Sequence, residues 1–220
     1  MMLPACPKVF FGLVGVGAQS TASFEYLPGR FTTSTTLSAS VTYIMNQQTF
    51  VGDGITLTIE PGTTIYAMPV GLVPLAVPAL IVEQGGTLMA SGTATSPITF
   101  TALNPEYVSG TSLETDTSTI ATQTVLETRG KWGGIIILGR APTSAADYTT
   151  NFIEGISGAP YGGTDPSDNS GVLKYVRVWH GGAAIAPDNE INGITFGGAR
   201  SRARKREKPA SESAGRGALI

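Results

Sequence analysis

Ile59-Glu60-Pro61-Gly62-Thr63-Thr64-Ile65-Tyr66-Ala67 is echoed by Val82-Glu83-Gln84-Gly85-Gly86-Thr87-Leu88-Met89-Ala90. Val82 stands 23 residues after Ile59. Each copy carries an apolar residue before Glu, a Gly turn, a Thr, another apolar residue and a closing Ala. Self-similarity at a spacing of about 20–30 residues marks a solenoid, in which no coil can bury its apolar face alone. The repeat predicts that Ile59 and Val82 occupy equivalent places in adjacent coils of one sheet. It also points Ile65 and Leu88 inward and sets Glu60 and Glu83 at turns.

Outward from this repeat the same texture recurs. Val41-Thr42-Tyr43-Ile44, Ile55-Thr56-Leu57-Thr58-Ile59, Ala79-Leu80-Ile81-Val82 and Ile98-Thr99-Phe100-Thr101 are short β-branched runs, several with period two. Ile135-Ile136-Ile137-Leu138 is aliphatic throughout and flanked by glycine, as expected of a strand buried on both faces. Val172 to Val178 reads as one further strand, Phe152-Ile153-Glu154 as a return of the pattern, and Ile191 to Gly198 as the last strand. Thr32 to Ser40 is a linker or the edge of a first coil. Leu103 to Glu127 loses the pattern and reads as an inserted surface loop.

The composition agrees with an all-β chain. Of 220 residues, 28 are Gly and 14 are Pro, and only 14% are charged. No stretch has the spacing of a long helix. The net charge of −2 conceals an asymmetry. Residues 1–199 carry seven basic against fourteen acidic side chains, so the body lacks the positive field of a nucleic-acid binder. Residues 200–220 carry seven basic against two acidic ones, a composition that predicts a disordered tail. Cys6 is the single cysteine, which excludes a disulfide framework or a cysteine zinc cluster. Residues 1–18 have the form of a short secretory signal, with Lys8, the apolar run Val9 to Val16 and small residues to Ala18. That run is too short to span a membrane. The organisation expected is a signal at 1–18, a Ser/Thr-rich lead-in at 19–40, a β-helix domain at 41–198 with an insert at about 103–127, and a basic tail at 199–220.

Leu57-Thr58-Ile59-Glu60-Pro61-Gly62-Thr63, Gly92 to Thr101, Gly130-Lys131-Trp132-Gly133-Gly134 and Tyr161 to Gly171 together resemble a family of secreted or surface-anchored right-handed parallel β-helix proteins. These are common in bacteria, often as lipoproteins, and mostly without an established activity. The resemblance covers about residues 50–198 and implies an all-β, right-handed parallel β-helix (solenoid) at the cell surface or outside it. The family continues into further coils where this chain turns to Ala199-Arg200-Ser201-Arg202, so a solenoid truncated at its C-terminal end is expected. Leu3-Pro4-Ala5-Cys6 resembles a lipobox, but no apolar region precedes it.

The best candidate site is the acidic turn Gly163 to Gly171. Asp165, Asp168 and Asn169 bring oxygen ligands of the kind calcium takes, although the spacing is not that of an EF-hand. Asp, Asn, Ser and Gly are equally ordinary turn formers. Sugar-acid lyases on β-helices pair calcium with a basic residue, which draws attention to Lys174 and Arg177; in one regular strand these point to opposite faces. His180 is the only histidine and has no evident partner for a catalytic relay. Trp132 and Trp179 either stack on sugar rings or pack at coil corners. Asp188 and Glu190 are two acids in one loop, too common a pattern to define a glycoside-hydrolase pair. Gly130-Lys131-Trp132 lacks the hydroxyl and glycine spacing of a P-loop. The function expected is a non-catalytic extracellular or cell-surface scaffold for adhesion or glycan contact. The alternative is a polysaccharide-acting enzyme on the same fold, a calcium-dependent lyase or a glycoside hydrolase.

Overall fold

A computed structural model describes residues 24–71, 76–103, 129–144, 151–153, 156, 158–186 and 189–200, together with the short strands at 108–109 and 112–113. The expected signal at 1–18, Cys6, Glu154, Asp188, most of the expected insert at 103–127 and the residues beyond Arg200 lie outside the described residues. The strands are β1 (Phe24–Tyr26), β2 (Arg30–Phe31), β3 (Thr35–Leu37), β4 (Thr42–Met45), β5 (Gln48–Val51), β6 (Thr56–Ile59), β7 (Thr64–Ala67), β8 (Ala79–Val82), β9 (Thr87–Ser91) and β10 (Ile98–Ala102). They continue with β11 (Val108–Ser109), β12 (Ser112–Leu113), β13 (Gly134–Leu138), β14 (Gly171–Lys174), β15 (Val176–Val178), β16 (Ala184–Ala186), β17 (Asn189–Glu190) and β18 (Ile194–Gly197).

Three parallel sheets run along the molecule. Sheet A has the order β1-β4-β7-β10-β15, sheet B the order β2-β5-β8-β13-β18, and sheet C the order β3-β6-β9-β14. The chain visits A, B and C in turn, so each circuit is one coil of a right-handed parallel β-helix. Two antiparallel hairpins, β11–β12 and β16–β17, stand outside this path. The Thr/Ser-rich stretch before residue 40 contributes β3, which pairs with β6 as part of a first coil.

In-register stacking makes the core. In sheet A, Tyr43, Ile65, Phe100 and Val178 succeed one another; in sheet B, Phe31, Val51, Val82, Ile137 and Phe196; in sheet C, Leu37, Ile59, Ala90 and Leu173. Most of these are buried inside the solenoid. Sheet B carries a second apolar layer on its outer side. There Ala79, Ile81, Ile136 and Leu138 pack beneath Ile156, Ala159 and Ile191. This explains the unbroken aliphatic run of β13, which is buried on both faces as its sequence predicts.

Three readings of strands need correction. Val172 to Val178 is divided by a bend at Tyr175 into β14 in sheet C and β15 in sheet A. Phe152 makes only an isolated antiparallel bridge to Pro160, within the segment that covers sheet B. Ile191 belongs to that outer layer, and the last strand begins at Ile194.

The repeat itself relates sides of coils rather than whole coils. Ile59 closes β6 in sheet C, between Leu37 and Ala90, whereas Val82 closes β8 in sheet B, between Val51 and Ile137. They therefore lie in separate sheets, contrary to expectation. What recurs is the corner. At Glu60–Thr63 and Glu83–Gly86 the fourth N–H donates to the glutamate carbonyl at 3.2 and 2.9 Å, with Gly62 and Gly85 at φ 89° and 80°. Gly52–Ile55 repeats the device, with Gly54 at φ 73°. Strand, glycine turn and strand give the same local sequence at whichever edge the chain turns. Ile65 and Leu88 do point into the core, from sheets A and C respectively.

Ion pairs cross the corner between sheets B and C. Arg30 grips Glu83 with both guanidinium nitrogens, the second at 2.9 Å, passing beside Gly52 of the intervening coil. Arg140 Nη2 reaches Asp53 Oδ2 at 3.1 Å, passing beside Gly85. A side chain on Gly85 would run into Asp53 and come within 2.8 Å of Arg140 Nη1, whereas one on Gly54 would meet nothing within 4 Å. Both glycines have left-handed backbones, so each resists replacement for a conformational reason. Gly54→Ala is expected to cost about 1 kcal/mol in a chemical melt, and Gly85→Ala about 2 kcal/mol or more. Equal losses would show that crowding at Gly85 contributes nothing.

On the outer side of sheet A, Ile44, Tyr66 and Thr101 form one buried row. Burial holds the Tyr66 hydroxyl above its ordinary pKa of 10.0. In the unfolded chain Tyr66 ionises at the ordinary value, so above it the folded state keeps the proton longer. This contribution to stability is complete below the unfolded pKa and is lost as pH rises through the folded one. Urea melts from about pH 9 to about pH 11 should show a decline that is shallower in Tyr66→Phe.

Candidate functional site

The acidic turn connects β13 to β14, and its residues have divergent roles. Asp168 is buried. Its Oδ1 accepts the Arg140 N–H at 2.8 Å, and its Oδ2 accepts the Ser170 hydroxyl at 2.9 Å and the Arg200 N–H at 3.1 Å. One carboxylate thus ties the segment after β13, the start of β14 and Arg200, three residues after β18. Asp165 is exposed, and its Oδ1 accepts the Ser167 N–H at 2.8 Å and the Ser167 hydroxyl at 2.7 Å. Those two bonds hold its carboxyl below the ordinary range, with a smaller contribution from Arg140. Asn169 Oδ1 accepts the Gly171 N–H at 3.3 Å. All three predicted ligands are therefore engaged in shaping the turn. Among the described residues no three His, Cys, Asp or Glu side chains gather as a metal cage.

Removing the Asp168 carboxylate would leave two backbone N–H groups and a buried hydroxyl without their acceptor. Asp168→Ala is expected to cost about 3 kcal/mol and Asp165→Ala less than about 1 kcal/mol, measured by chemical denaturation. Similar values for the two would remove the structural role assigned to Asp168.

A second group of side chains lies just beyond the turn. Because Tyr175 is a corner, Lys174 ends β14 and Arg177 lies in β15; both side chains are exposed, together with Tyr175 and Trp179. The expectation that Lys174 and Arg177 point to opposite faces of one strand therefore fails. The corner is a single residue. The Tyr175 carbonyl accepts the Ile98 N–H at 3.0 Å, and the Lys174 carbonyl accepts the Gly92 N–H at 2.8 Å. Turning so tightly puts Tyr175 at φ 49°, a left-handed conformation unusual for a bulky residue. Its ring is turned outward and 51% exposed.

Each cation is paired with a ring. Lys174 Nζ lies 5.6 Å from the Tyr175 centroid, and the Arg177 guanidinium 5.9 Å from that of Trp179. Trp179 is 43% exposed, yet its backbone is fixed. Its N–H donates to Phe100 O at 2.9 Å, and its carbonyl accepts the indole N–H of Trp132 at 2.7 Å. Trp132 is wholly buried and stacks on Phe100 with centroids 6.3 Å apart. The two tryptophans thus divide the alternatives raised by the sequence: Trp132 is core, and Trp179 is surface. His180 follows at φ 62° with its ring edge-on to Trp179, and its carbonyl accepts the Lys131 N–H at 2.8 Å. The side chain of Glu190, in β17, lies outside the described residues, as does Asp188.

Sequence reasoning missed Tyr175. The run Val172-Leu173-Lys174-Tyr175-Val176-Arg177-Val178 contains no Gly, Pro, Asn or Asp to announce a corner. The available signal is indirect: a run of that length exceeds the other strands of this chain.

A family model described as a pectate-lyase-like β-helix domain matches residues 29–202, and the chain belongs to that family. No curated protein and no solved structure matches it. Among the described residues no helix is long and apolar enough to cross a membrane.

Proposed function

We propose that this chain is a secreted or cell-surface β-helix scaffold that contacts glycans without catalysis, through Lys174, Tyr175, Arg177 and Trp179. The observation that carries this reading is the exposure of two aromatic rings at the two ends of β15, each accompanied by a cation. Aromatic faces bury the apolar C–H faces of sugar rings, while the cations donate hydrogen bonds to the sugar oxygens at their rims and neighbouring hydroxyls donate or accept them. Thr99 lies opposite Arg177 on the adjacent strand and extends the polar border. Membership of a pectate-lyase-like family favours a polysaccharide over an unrelated partner.

Isothermal calorimetry against neutral and uronate-containing polysaccharides tests this. Saturable binding is expected, weakened about tenfold by Trp179→Ala, equivalent to about 1.4 kcal/mol. Product release, read as new reducing ends or an unsaturated uronate chromophore and abolished by Arg177→Ala, would establish the enzymatic alternative instead. Calcium belongs to the same experiment. Occupancy at Asp165, Asp168 and Asn169 requires the ion to compete with the Ser167 and Gly171 donors and with those around Asp168. Heat at millimolar Ca²⁺ that disappears in Asp165→Ala would support a calcium site there.

A further inference from the structure

Strand β15 presents its large side chains in a straight outward row. Val176 and Val178 continue the inward rows of Ile98 and Phe100 and pack against the core. Tyr175, Arg177 and Trp179 alternate with them, and all three are exposed. The Arg177 guanidinium leans on the Trp179 ring, 5.9 Å from its centroid, which leaves the cation between the two aromatic ends of the row.

The row is bounded by backbone that its residues do not favour. Among the described residues, Tyr175 at φ 49° and His180 at φ 62° are the non-glycine residues with left-handed conformations. At the corners Gly52–Ile55, Glu60–Thr63 and Glu83–Gly86 that conformation falls to Gly54, Gly62 and Gly85. Glycine would also make the turn at Tyr175, whose carbonyl accepts the Ile98 N–H at 3.0 Å without help from the side chain. The ring is 51% exposed and absent from the core. A bulky residue held in a costly conformation with its ring in solvent does little for the fold, and strain of this kind collects where ligands are held.

Resting on the proposed glycan contact, we infer that Tyr175 and Trp179 are two stacking positions of one strip that takes an extended, β-1,4-linked pyranose chain, lying along β15 and across the solenoid axis. Four residues of strand span about 13 Å, of the same order as the separation of the first and third rings in such a chain. Alternate units of an extended β-1,4 chain present the same face. The first and third rings therefore meet Tyr175 and Trp179, and the second lies over Arg177, whose guanidinium donates to its oxygens. An α-1,4-linked glucan coils and cannot lay rings on both aromatics at once.

The test is calorimetry on the full chain with β-1,4-linked glucose and β-1,4-linked mannuronate oligosaccharides of increasing length, against α-1,4-linked glucose oligosaccharides of the same lengths. Affinity for at least one β-linked series is expected to rise about tenfold from disaccharide to trisaccharide, as the second aromatic ring is reached, and to exceed that of the α-linked series. Tyr175→Gly and Trp179→Ala should each abolish the step, and Tyr175→Phe, which keeps the ring, should restore it. Tyr175→Gly should also raise the urea midpoint, because glycine accepts the left-handed corner. A lowered midpoint would assign Tyr175 to the fold and overturn the inference. Binding lost in Trp179→Ala but untouched by Tyr175→Gly, or tighter binding of the α-linked series, overturns it too while leaving glycan contact through Trp179 in place. No saturable binding by any glycan overturns both.

Discussion

Each strand of this protein must lie directly on the equivalent strand of the coil before it. Parallel strands sit about 4.8 Å apart, so every inward side chain packs on the one beneath and every corner backbone on the corner beneath. The inner rows satisfy this by matching apolar volumes, as in the succession Phe31, Val51, Val82, Ile137 and Phe196. Corners satisfy it by removing side chains. A Cβ on Gly86 would come within 3.0 Å of Gly52 O, and one on Gly133 within 3.1 Å of Pro78 O. High glycine content is thus a packing requirement of the stacked turns, and excursions from the helix are confined to places where the chain leaves the stack altogether.

The sequence reveals the solenoid because the corner device is written locally. Glu-Pro-Gly-Thr and Glu-Gln-Gly-Gly announce turns, and the alternation in Ile55 to Ile59 announces a half-buried strand. Which sheet a strand joins is not local information. Ile59 and Val82 look equivalent because their turns are equivalent, and only the excursions between strands decide that they belong to different sheets. The aliphatic run of β13 is legible as doubly buried, but the identity of its outer cover is not. Ile156, Ala159 and Ile191 come from segments distant in the chain.

The candidate site was legible in part for the same reason. Lys174, Arg177 and Trp179 stand out by residue type, and their common exposure follows from a corner that no turn residue signals. The acidic turn shows the converse. Its composition suggests a cation site, but burial of Asp168 against three donors is a tertiary fact that links segments far apart in sequence. The pairing of Trp132 with Trp179 is likewise tertiary. An indole inside the core fixes the carbonyl of an indole outside it, so the surface ring borrows the rigidity of the interior.

The ion pairs at the B–C corner alter how the array behaves as a one-dimensional system. A solenoid is ordinarily described by the intrinsic stability of each repeat plus nearest-neighbour coupling, which permits unwinding from an end one coil at a time. Arg30 and Glu83 belong to coils separated by the one carrying Gly52, and Asp53 and Arg140 to coils separated by the one carrying Gly85. Each pair is exposed and individually weak, contributing on the order of 1 kcal/mol or less. Their order along the stack matters more than their strength. They interlock, so the first and third coils are joined across the second, and the second and fourth across the third. This adds a next-nearest-neighbour coupling, screened by salt, that makes loss of the first coil perturb the third as well as the second and ties the first four coils together more closely than contact between neighbours alone.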